Sequence, residues 1–114
     1  MDIKVIVDLK SPELNQKSEY NGTFEDNRIL YNDDTSVIID LDNKKLVREN
    51  DSYIIDLDFK NEVYNLHLKE YDMVTELDVN LDTFSISKNK VEIKYHFKSD
   101  LENKIEYKIE YYNN

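Results

Sequence analysis

The chain has 114 residues, a formal net charge of −10, one Gly, one Pro and no Cys. That length predicts one domain over residues 1–114, burying roughly two-thirds of its unfolded surface, enough for a core without disulfide or metal staples. The missing Cys removes thiolate chemistry, and the acidic balance excludes nucleic acid and anionic membrane surfaces as expected partners, because both attract bases.

The first strand is expected at Ile3 to Leu9, followed by a polar stretch from Ser11 to Gln16 around Pro12. The opening MDIKVIVDLK lacks the basic region and unbroken apolar stretch of a signal peptide. A cytoplasmic protein is therefore expected. A turn at Asp26-Asn27 would set Phe24 against Ile29 and Gly22 against Tyr31, and a turn at Asn32-Asp33-Asp34 would set Ile29 against Val37. Tight loops are then expected at Asp42-Asn43, Asn50-Asp51, Lys60-Asn61 and Tyr71-Asp72. Asn and Asp tolerate the positive φ that such hairpin turns require. These loops align Ile39, Leu46, Ile55, Leu66 and Leu77 on one face, with Leu57, Tyr64 and Val79 beside them. The other face gains Asp40 against Lys45 against Asp56, a favourable alternation of charge.

From Val63 to Val79 and from Val91 to Tyr111, large apolar residues alternate with polar ones. Such a period means half-buried antiparallel strands. Asp82-Thr83 breaks the alternation between Leu81 and Phe84 and predicts a bulge. A turn at Lys88-Asn89 pairs Ile86 with Val91, and a longer one from Ser99 to Asn103 brings Phe97 to Ile105 and Tyr95 to Tyr107. The expectation is an all-β chain of about ten strands without helix. Sequential hairpins with one apolar face favour a single antiparallel up-and-down β-barrel, its first strand paired with its last, because closure removes exposed edges.

The stretch Asn21-Gly22-Thr23-Phe24, the strand Leu46-Val47-Arg48, Glu76-Leu77-Asp78-Val79 and Val91-Glu92-Ile93-Lys94-Tyr95 follow one another in an order and spacing that resembles the YwiB-like proteins. These are small uncharacterised bacterial β-barrels of calycin (lipocalin-like) type. The resemblance covers nearly the whole chain. It departs in two places: Glu49, Asn50 and Asp51 stand where a Gly is usual, and Leu68 to Met73 lacks the Tyr-x-Thr-x-x-Gly stretch. The resemblance implies a calycin-like barrel and lends no activity; kinship to ligand-carrying lipocalins is a likeness of fold alone.

Arg48 falls on the apolar face, between Val37 and Tyr53, where a guanidinium must be paired or reach the barrel end. It can anchor an anion at the mouth, or it can be a structural Arg stacked on Tyr53 or satisfied by a carboxylate such as Glu62. His67 and His96 point outward by parity, with His67 expected opposite Glu76. An exposed cross-strand pair accounts for that arrangement better than a metal ligand does. Asp40, Asp42, Asp56 and Asp58 lack the Gly and the distal Glu of a calcium loop, so no metal and no cofactor is expected. Tyr31, Tyr53, Tyr64, Tyr95, Tyr107 and Tyr111 face inward; they either fill the core or give polar handles to a pocket. With hardly a small residue inside, the barrel middle is expected to be filled, leaving room for a shallow cup at an open end.

One outward row breaks the alternation. Ile38, Val47 and Ile54 are expected to align across neighbouring strands, with His67 next. Such a row is a partner or dimer contact, or it is covered by the Ser11–Gln16 loop or the C-terminal end. No nucleophile or acid–base constellation is assembled, so no enzyme and no catalytic residue is expected. The leading expectation is a non-enzymatic module binding a small amphipathic or anionic ligand at the barrel mouth through Arg48, Tyr53 and Tyr31. The alternative is an interaction protein or homodimer using Ile38, Val47, Ile54 and His67.

Overall fold

The computed structural model describes residues 1–114 and consists of strands alone. In chain order they are β1 (Asp2–Lys10), β2 (Asn15–Glu25), β3 (Arg28–Asn32), β4 (Ser36–Asp40), β5 (Lys45–Glu49), β6 (Tyr53–Asp58), β7 (Val63–Leu68), β8 (Met73–Ser87), β9 (Lys90–Phe97) and β10 (Ile105–Asn113). Each strand pairs antiparallel with its sequence neighbours, and β1 also pairs with β10, so the ten strands form a closed barrel. Closure leaves no free sheet edge, which is how a chain this rich in β-branched residues avoids edge-to-edge association.

Alternation places one apolar set inside. Ile3, Ile29, Ile39, Leu46, Ile93 and Ile109 are among the fully buried side chains. One end of the barrel is plugged by its own turns. In Asp40-Leu41-Asp42-Asn43 and Asp58-Phe59-Lys60-Asn61, the Asp carboxylate accepts from the Asn backbone N–H and from its Nδ2. The turn so fixed tucks Leu41 and Phe59 into the core. Lys44 and Glu62, which complete these turns, take positive φ, the conformation that lets a short loop rejoin a twisted pair of strands. Phe59 then packs tilted against Phe84 and Tyr95, with ring centroids 5.8 and 5.5 Å away.

Gly22 faces inward on β2, beside Val5 and opposite Tyr31. A Cβ at this position would lie 2.3 Å from the Leu30 carbonyl oxygen, so no larger residue fits without moving backbone. β8 carries the anticipated irregularity between Leu81 and Thr83.

The pairings at Asp26-Asn27, Asp42-Asn43, Lys60-Asn61 and Lys88-Asn89 are as the sequence predicts. Four other pairings differ by two residues, which keeps each side chain on its face while changing its neighbour. Leu46 meets Leu57 and not Ile55, because Asn50 Oδ1 accepts from Ser52 N and Tyr53 N and so begins the turn. Asp33 Oδ1 does the same for the Thr35 N–H and hydroxyl, which sets Ile29 against Ile39 in place of Val37. Leu66 meets Thr75, not Leu77, since the Asp72 N–H bonds back to Lys69 and the turn tip is Glu70-Tyr71. Tyr95 meets Ile105 and not Tyr107, because the Asp100 N–H bonds to the Phe97 carbonyl and tightens the start of the loop.

Candidate functional site at the barrel mouth

The end opposite the Leu41–Phe59 plug holds the candidate site. Arg48 lies inside β5, paired with Val37 on one side and Ile55 on the other. Its Nη1 donates to Asp33 Oδ2 at 2.7 Å and to Thr35 Oγ1 at 3.1 Å, and its Nη2 donates to the Tyr107 hydroxyl at 3.4 Å. The guanidinium also sits 5.9 Å from the Tyr107 ring centroid. Arg48 thus finds its carboxylate in Asp33, while Glu62 is occupied elsewhere, accepting from Leu81 N at 3.0 Å. A guanidinium carries five N–H donors. The three bonds engage both hydrogens of Nη1 and one of Nη2, leaving Nε–H and one Nη2–H free.

The pair is held in its charged form. Burial alone would raise the Asp33 pKa, but the hydrogen bonds from Arg48 and Thr35 outweigh it and hold the carboxyl below its ordinary range. Burial would likewise ease the proton off Arg48, yet Tyr107 and Asp33 together keep it firmly protonated.

Beside this pair is a small cavity of about 70 Å³, lined by Val7, Leu9, Gln16, Ser18, Tyr20, Tyr31, Asp33 and Arg48. Tyr31 is only 3% exposed and stacks on Tyr20, centroid to centroid 5.0 Å. Its hydroxyl has no hydrogen-bond partner. Burial pushes the phenol pKa well up, against the pull of Arg48, so the group is a neutral donor. An unpaired buried hydroxyl costs roughly 1–3 kcal/mol, so a ligand acceptor reaching it would recover that loss.

On the other side of Arg48 the inner face of the sheet is apolar. Ile55 and Leu66 follow Arg48 across β6 and β7, and Tyr53, Leu68 and Met73 form the next row toward the rim. The outer part of the β7–β8 hairpin stands clear of the core: Met73 and Leu77, on the inward-facing parity, are 53% and 45% exposed. The structure therefore brings Arg48 and Tyr31 to one cavity and sets Tyr53 on the adjoining apolar slope. The cavity itself is too small for a whole organic ligand, for which pockets run about 300–1,000 Å³.

The outward row is arranged differently from the sequence expectation. Val47 pairs with Asp56, and Ile54 pairs with Glu49 and His67, so Ile54 leaves the row. Leu30 takes a place in it, opposite Ile38. The Ser11–Leu14 loop lies beside Lys94, Glu102 and Lys104, away from this row. His67 faces Val74, not Glu76, and its Nε2 is 3.1 Å from Asp72 Oδ1.

His96 keeps its outward parity but is 7% exposed. The β8 bulge carries Asp82 to within 2.9 Å of its Nδ1, and Asn80 Nδ2 lies 3.1 Å from its Nε2. If Asn80 donates there, Nε2 is the acceptor and Nδ1–H donates to Asp82. Both ring nitrogens are satisfied, which makes this a structural network. Nowhere are three His, Asp or Glu side chains grouped as a metal would need. No protein-family model and no curated protein matches the chain.

Proposed function

We propose that this chain is a non-enzymatic, up-and-down barrel of calycin (lipocalin-like) type, kin to the YwiB-like proteins and cytoplasmic, that binds a small amphipathic molecule at its mouth. Tyr31, whose buried hydroxyl is unpaired, lines a cavity together with Arg48, and this supports the reading above all. The ligand's polar end is an acceptor such as a carboxylate, taking hydrogen bonds from Tyr31 and the free Arg48 N–H groups. Its apolar part lies along Ile55, Leu66, Leu68 and Met73. This division fits the dimensions: the small space of about 70 Å³ takes a headgroup, and the open slope takes the rest. Asp33 already balances the Arg48 charge, so hydrogen bonding and apolar contact, more than net charge, would supply the affinity.

The test uses 8-anilinonaphthalene-1-sulfonate, a fluorescent amphipathic anion. Saturable enhancement at one dye per folded chain is expected, lost in Arg48→Met and weakened in Tyr31→Phe. Enhancement that is unsaturable, or unchanged by both substitutions, would contradict the proposal.

A further inference from the structure

We infer that the outer face of β3 and β4 is a self-complementary surface for a second copy of this chain. The whole protein carries −10, so two copies repel each other over most of their surfaces. The outward residues of β3, β4 and β5 are an exception: Arg28 and Lys45 balance Asp40 and Glu49, and the remainder are uncharged.

Two rows cross this face in register. Thr23, Leu30, Ile38 and Val47 are paired neighbours from β2 to β5. One step along the strands, Glu25, Arg28, Asp40 and Lys45 are paired neighbours over the same four strands, alternating in charge. Place a two-fold axis between β3 and β4, parallel to them, and each row meets itself reversed. Leu30 then meets Ile38 of the second copy, and Val47 meets Thr23. Arg28 meets Asp40 of the second copy, and Glu25 meets Lys45. Within this row both acids face a base. An axis between β4 and β5 would instead set Leu30 against Asp56, so the first axis is preferred.

One detail agrees with this. Asp40, fixed by Asn43 hydrogen bonds and aided by Arg28, has its pKa held low and so presents a charge. This surface is separate from the mouth, and either proposal can fail alone.

Sedimentation equilibrium over a wide concentration range is the test. The wild type is expected to reach twice the 13.7 kDa chain mass, and Ile38→Lys to weaken association at least tenfold with the strand spectrum unchanged. Glu25→Lys is expected to weaken it several-fold, and Glu25→Lys with Lys45→Glu to restore it. A wild type that stays monomeric at millimolar concentration overturns the inference, as does a dimer indifferent to Ile38→Lys or a charge reversal that the second substitution fails to rescue.

Discussion

Arg48 Nη1 and Asp33 Oδ2 lie 2.7 Å apart, joining β5 to the β3–β4 turn at the barrel mouth. The pair fixes both the guanidinium and the turn, and only 18% of the Arg48 side chain and 22% of Asp33 is exposed. Replacing Arg48 by Met strands a half-buried carboxylate and removes the Tyr107 contact. Loss of one partner of a buried pair costs about 3–5 kcal/mol, and partial exposure reduces this to about 2–3 kcal/mol. Urea unfolding of Arg48→Met, Asp33→Asn and the double variant measures it, with a coupling of at least about 1 kcal/mol expected.

The same pair gives an acid dependence. Asp33 has a lowered pKa in the folded chain, so its stabilisation is complete above the unfolded value of about 3.9 and is lost as pH falls through the folded one. Thermal unfolding between pH 6 and 2 is expected to show a shallower acid loss in Asp33→Asn than in the wild type, the two curves converging at the acid end.

Tyr31→Phe separates stability from binding. The substitution deletes a buried hydroxyl that has no partner, so the free protein is expected to be equally stable or more stable by about 1 kcal/mol. Affinity for the amphipathic anion is expected to fall. A substitution that leaves stability intact while weakening the site marks a residue kept for binding, and a marked loss of stability would mean that the hydroxyl serves the fold.

Parity made the inner face and the β8 bulge legible in the sequence, the turn residues gave the strand count, and the need to remove exposed edges gave the closure of β1 on β10. Exact neighbours were legible only where Asn or Asp sat at the turn tip. At Asn50 and Asp33 the side chain accepts hydrogen bonds from the following backbone and so opens the turn, moving the tip one residue onward. Preference for turns does not distinguish these two places within a turn. That shift replaced Ile54 by Leu30 in the outer row. It is also why Asp33, assigned no partner from the sequence, emerged as the Arg48 counter-ion. His96 was hidden for a related reason: a bulge is visible in sequence, but where it carries Asp82 is not.

Gly22→Ala probes the narrowest backbone approach in the barrel. A Cβ at 2.3 Å from the Leu30 carbonyl oxygen forces β2 and β3 apart near Tyr31. Overpacking against backbone is expected to cost about 3 kcal/mol, read as a lowered denaturation midpoint. A change within about 0.5 kcal/mol, the range of ordinary surface substitutions, would mean that β2 yields there.

The most direct measurement is a two-dimensional NMR titration with decanoate at physiological salt, following the Arg48 Nε–H and the backbone amides. Saturable shifts at Arg48, Tyr31, Tyr53 and the β7–β8 hairpin, absent from the Leu41–Phe59 end, are the predicted result. No shift up to millimolar decanoate, or shifts centred away from the mouth, would contradict the proposal that this barrel end receives a ligand.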